Sequence, residues 1–158
     1  MLADDSGLEV DALDGAPGVL SARFAAMDAN GGGPSATENA PDAANTAKLL
    51  RLLEKVALEK RTARFRCVLA LTPVVACDTE NRSPVCYAHE AELRTELFKG
   101  VCEGRISFFP TGSNGFGYDP VFIPIGHEQS FAELGEPVKN KISHRAQALG
   151  KLRDWLSR

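Results

Sequence analysis

Apolar and polar positions change period along the chain, and each change marks an element. Leu8, Val10 and Ala12 alternate with Glu9 and Asp11, the period of a half-buried strand, which Gly15, Pro17 and Gly18 end. Over residues 42–60, Leu49, Leu50, Leu52, Leu53, Val56 and Ala57 recur at spacings of three and four, with Lys48, Arg51, Glu54 and Lys55 toward water. That pattern predicts an amphipathic packing helix. Residues 63–75 alternate again, Phe65, Cys67, Leu69 and Leu71 against Arg64, Arg66 and Val68. A polar turn at residues 78–84 and a returning strand over residues 85–97, continued by residues 98–106, complete an expected antiparallel meander. Residues 121–124 read as a short strand. Ser130 with Glu133 three places on is a capping box for a helix of one or two turns. Ser143 is expected to cap a last helix with Ala146, Leu149, Leu152, Trp155 and Leu156 on one face. Residues 28–41, with Gly31 to Gly33, Pro34 and Pro41, read as a flexible loop placed as a rim.

The 158 residues suit one domain spanning 1–158, able to bury about 70% of its unfolded surface. A hydrophobic share of 44%, a charged share of 25% and a net charge of −3 give no broad basic face for a nucleic-acid polymer or a membrane surface. Apolar runs fall short of the ~20 residues of a membrane span, so a cytoplasmic protein is expected. Cys67, Cys77, Cys86 and Cys102 form no Cys-x-x-Cys pair, which favours buried small hydrophobes over a zinc site or a disulfide framework.

Chemistry gathers at three places. In residues 106–122, Gly112, Gly115 and Gly117 surround Phe116, with Asp119 and Pro120 following. A ring between two glycines is suited to present its face to a flat partner such as a nucleobase; the alternative is a tight hairpin whose Phe116 folds back onto the sheet. Near the start, Asp4 and Asp5 stand side by side before Ser6 and Gly7. Adjacent carboxylates need cations or donors and suit Mg²⁺; the alternative is a solvated turn. The following strand pattern places them at a strand's lip, with Arg23 either ordering them or serving as a surface cation. Finally, Lys139, Lys141, His144 and Arg145 surround the cap at Ser143. Cations there oppose the helix macrodipole but make an anion or carbonyl site with the free N–H groups; the alternative is a capped helix with a solvated basic first turn.

The runs Ala3-Asp4-Asp5-Ser6-Gly7-Leu8, Gly15-Ala16-Pro17-Gly18, Ser21-Ala22-Arg23, Asn114-Gly115-Phe116-Gly117-Tyr118-Asp119-Pro120, and Lys139 followed by Ser143-His144-Arg145 resemble the inosine triphosphate pyrophosphatase family in matching order. The resemblance implies an α/β fold with an elongated mixed sheet, flanking helices and an active-site cleft between two lobes. It implies hydrolysis of ITP, dITP and XTP to the monophosphate and pyrophosphate. By it, Asp5 binds Mg²⁺ and takes the proton of the attacking water, Asp4 supports the metal, and Ser6 touches substrate. Phe116 stacks on the purine with Gly117, Tyr118 and Asp119 around its edge, while Lys139, His144 and Arg145 meet the base oxygen or phosphates. A homodimer is the family expectation. The family also carries an opening segment with a Thr/Ser-x-x-Asn-x-x-Lys stretch and a metal-binding Glu, so the N-terminal part of the fold is expected to be missing ahead of Asp4. The rival readings are a non-catalytic purine-nucleotide binding module and an inactive truncated fragment.

Overall fold

The computed structural model describes residues 1–29, 39–73 and 94–158. Five strands form one sheet in the order β2-β1-β3-β4-β5: β1 (Leu2–Val10), β2 (Pro17–Gly18), β3 (Thr62–Leu71), β4 (Glu96–Ile106) and β5 (Phe122–Pro124). The helices are α1 (Ala26–Ala29), α2 (Asp42–Leu52), α3 (Phe131–Ile142) and α4 (His144–Leu156). The α/β class with flanking helices is as expected. The mixed sheet is not, because every strand pair described is antiparallel. The expected strand over residues 85–97 and its turn lie mainly outside the described residues, as does most of the expected rim.

Alternation decides which face of the sheet is covered. Ala63, Phe65, Cys67 and Leu69 of β3, with Phe98, Cys102 and Ile106 of β4 and Leu8 and Val10 of β1, are buried on one face. There they meet Leu49 and Leu53 near α2, Phe122 and Phe131, and Ala148 and Leu152 of α4. Phe65 is central, 4.6 Å from the Phe122 ring and 4.8 Å from the His144 ring. The other face carries charge: Arg64 pairs with Asp11 and Glu103, and Arg66 with Glu9. This separation makes burial on one face compatible with solvation on the other.

Several local expectations changed on folding. β1 begins at Leu2, so Asp4 and Asp5 lie inside the strand, opposite Leu69 and Val68, and not at its lip. α2 stops at Leu52, well short of residue 60. Beyond it the buried Arg61 donates to the carbonyls of Leu53 at 2.6 Å, Val56 at 2.9 Å and Ser107 at 2.9 Å. Those bonds satisfy chain that the helix has left, and Phe108 stacks over the guanidinium at 4.1 Å. The Ser130–Glu133 capping box is present, but α3 runs on to Ile142 through a break at Gly135, where φ is 72°. No helix of the described residues is long and apolar enough to cross a membrane.

α4 uses a different face from the expected one. His144, Ala148 and Leu152 are buried, whereas Leu149 and Leu156 are exposed. Gly100 explains the rotation: a Cβ there would lie 1.9 Å from the His144 carbonyl oxygen and 2.8 Å from the Ala148 nitrogen. Helix backbone therefore rests on strand backbone with no side chain between them. Gly100→Ala is expected to lower stability by about 1–3 kcal/mol, read from the denaturant midpoint. An unchanged midpoint would contradict this seating.

Candidate active site

The seated end of α4 brings the two ends of the chain together. Arg145 donates from Nε to Asp4 Oδ2 at 2.7 Å. Ser6 Oγ donates to Asp4 Oδ1 at 2.9 Å, and Arg145 also lies 3.5 Å from Ser6. Burial alone would raise the Asp4 carboxyl, but the bonds from Arg145 and Ser6 outweigh it and hold the group below the ordinary carboxylate range. Asp5 is the next residue of a regular strand, so its side chain takes the opposite face, that of Glu9. It has no partner among the described residues. Arg23 likewise meets neither carboxylate there; Arg145 does the ordering.

The Phe116 loop stands beside this pair. Phe116 is 61% exposed, so it does not fold back onto the sheet. Lys139 Nζ lies 4.3 Å from its ring centroid and the Arg145 guanidinium 6.0 Å. The loop is held from within by Asp119, which is buried, accepts from the Phe116 N–H at 2.9 Å and pairs with Lys139. Gly115 is required for that approach, since a Cβ would fall 2.1 Å from Asp119 Oδ2. Tyr118 is buried too, and its hydroxyl donates to the Ser21 carbonyl at 2.9 Å. The structure thus brings Ser6 and Arg145 onto Asp4 and Phe116 with Lys139 beside Arg145, next to His144, and places Tyr118 and Asp119 behind the surface rather than at a ligand's edge. The Gly117 N–H is likewise occupied, by Asp42 at 2.6 Å.

A cavity of about 760 Å³ opens between the loop, α3 and α4, bordered by Phe116, Phe131, Lys139, Ser143, His144 and Arg145. It borders helices packed on a single sheet, so the expected two-lobe frame is not formed by the described residues. Ser143 Oγ caps α4 by accepting from Ala146 N–H at 3.2 Å. His144 stacks on Phe65 with an interplanar angle of 13°. Its Nδ1 is buried without a hydrogen-bond partner. Burial first, then the charges of Arg145 and Lys139, push its pKa down to about 4, so the ring is neutral at pH 7. A buried neutral ring adds no charge beside the two cations.

The carboxylates fit a hard divalent cation by donor chemistry. Among the described residues no three His, Cys, Asp or Glu side chains gather to hold one, and Asp4 and Asp5 can share an ion only along the edge of β1 at residues 2–7, which has no strand partner there. Sequence reading missed Asp42, Thr46 and Asn45 of α2. Asn45 is buried and bonds Ala25 N–H at 2.8 Å and the carbonyls of Ala22 and Ala40. An asparagine just inside the expected helix was the available signal, because asparagine favours engaging its side chain with nearby backbone there.

The fold is an α/β sheet that carries an acidic strand, with an exposed ring and a cationic helix start beside it. Residues 1–155 match the model of the Ham1 family, and the chain belongs to that family. It is 45% identical over 156 residues to a dITP/XTP pyrophosphatase of Shouchella clausii, covering 99% of this chain and 65% of the relative. It is 48% identical over 157 residues to one of Desulforamulus reducens, covering 99% and 64%. Among solved structures, a Ham1 protein from Staphylococcus aureus superposes with a TM-score of 0.76 at 36% identity, and one from Coxiella burnetii with 0.74 at 41%. Each alignment covers 99% of this chain and 66% of that structure. The chain therefore spans somewhat less than two thirds of the curated relatives' length; the alignments, which cover 99% of this chain, give no support to the specific expectation of a missing opening segment.

The His144 environment gives a pH prediction. A folded pKa of about 4 against an ordinary 6.5 means the unfolded chain binds the proton first, so stability is lost as pH falls through that window. Between pH 7 and pH 4 the native protein is expected to lose about 3 kcal/mol more than His144→Gln, measured by urea unfolding. Equal losses would show that the ring is not held neutral.

Proposed function

We propose that the protein hydrolyses non-standard purine nucleoside triphosphates, ITP, dITP and XTP, to the monophosphate and pyrophosphate. The observation that carries this reading is the continuous run from Asp4 through Arg145 to Phe116 and Lys139. The names of the relatives support the same chemistry. The exposed Phe116 ring stacks on the purine, and Lys139, His144 and Arg145 present donors to its 6-oxo group or to the phosphates. A 6-amino group would oppose donor to donor and leave them unmatched, which disfavours adenine.

Water attacks the α-phosphorus, the bond to the bridging α–β oxygen breaks, and pyrophosphate leaves. Asp5 is the proton acceptor in this reading by the family resemblance; because its side chain takes the face opposite Arg145 and Phe116, it would meet the attacking water along the free edge of β1. Asp4 is the poorer base, since Arg145 and Ser6 already hold it in its charged form. Mg²⁺ would be held by Asp4 and Asp5 and would supply neutralisation of charge developing on the phosphate oxygens. We propose a homodimer by the same family resemblance, and a cytoplasmic place from the short apolar runs of the sequence.

The test is pyrophosphate release from ITP with Mg²⁺. Asp5→Asn is expected to lower kcat at least about 10²-fold, as loss of a general base does. Phe116→Ala is expected to weaken nucleotide binding by roughly 5- to 100-fold, as loss of a stacking platform does. ITP binding without release would favour a binding module, and no binding of ITP would overturn the assignment.

A further inference from the structure

We propose that Asp42 is a positioning residue, which with Thr46 holds Gly117 and so sets the angle at which Phe116 is presented. The proposal rests on the reading of Phe116 as the base platform. Phe116 hangs between two glycine joints with positive φ, 80° at Gly115 and 62° at Gly117. The joints differ in their freedom. Gly115 is locked by its packing on Asp119. Gly117 is sterically open, since a Cβ there would meet nothing within 4 Å, and its conformation is therefore left to its hydrogen bonds.

Both backbone groups of Gly117 are met by the first turns of α2. Its N–H donates to Asp42 Oδ2 at 2.6 Å, and its carbonyl accepts from Thr46 Oγ1 at 3.4 Å. The helix is itself well fixed. Leu49 is fully buried, Asn45 grips the chain at Ala22, Ala25 and Ala40, and Lys48 donates to the Phe24 carbonyl at 2.7 Å while lying over the Phe24 ring. Consecutive N–H groups at Phe116 and Gly117 thus end on two carboxylates, Asp119 of the loop itself and Asp42 of α2. Without Asp42 the Gly117 joint turns, and the ring samples orientations in which its face is not aligned with Lys139 and Arg145. A role confined to the α2 start, where a carboxylate favours the helix dipole, would change stability but not this orientation.

Hydrogen exchange at the Gly117 amide and ITP kinetics with Mg²⁺ test this together. In Asp42→Ala the Gly117 amide is expected to exchange about tenfold faster or more, and KM for ITP to rise about tenfold while kcat stays within about twofold. Asp42→Asn keeps an acceptor oxygen and is expected to restore most of both, and Thr46→Val to give a smaller change of the same kind. Unchanged Gly117 exchange in Asp42→Ala, or an unchanged KM in that variant when the wild type turns over ITP, would overturn the proposal. A wild type that neither binds nor turns over ITP would refute the functional reading instead, and faster Gly117 exchange in Asp42→Ala would still establish the clamp.

Discussion

The cleft depends on the absence of one side chain. At Gly100 the backbone of α4 lies directly on β4, with the His144 carbonyl where a Cβ would otherwise stand. A protein interior is too dense to absorb such a contact by a small shift, so the helix either sits there or lifts away. Seated, it stacks His144 on Phe65 in the core and swings Arg145 over Asp4, residues far apart in sequence. Lifted, it would release both.

Electrostatics then divides the polar residues by depth. The Lys139–Asp119 pair is mostly buried and its carboxylate also binds the Phe116 N–H, so it works as a fixed part of the loop. The Asp4–Arg145 pair is about a third exposed, where solvent screens it and a ligand can compete for either partner. His144, neutral and unpartnered at Nδ1, lies between them in character: buried as a core ring, yet with a polar atom unspent. On the far face of the sheet Arg64 and Arg66 are matched by Glu9, Asp11 and Glu103, and those charges serve solvation and register.

Features set by neighbours in sequence could be read directly. The capping box of Ser130 and Glu133, the cap at Ser143 and the alternation of β3 all depend on spacings within one element. The glycines around Phe116 marked its loop, but whether the ring turned outward or back onto the sheet was left open until the fold showed it exposed. What could not be read depends on partners distant in the chain. Arg61 looks like a surface cation until carbonyls from Leu53, Val56 and Ser107 converge on it. The buried stripe of α4 follows from Gly100, more than forty positions earlier. The paired carboxylates were visible, but their placement on opposite faces required knowing that β1 starts at Leu2 and pairs with β3 without a bulge. Tyr118 and Asp119 carry the motif's chemistry, yet the fold turns both inward.

One titration addresses the central claim that the chain's two ends form a single nucleotide cleft. ITP with Mg²⁺ would be added to the labelled protein and the amide resonances followed residue by residue. Concerted shifts at Asp4 and Asp5, at Phe116 and Gly117, and at Lys139, His144 and Arg145, all with one saturation curve, are expected. Shifts confined to one of those places, or curves with separate midpoints, would contradict a shared cleft.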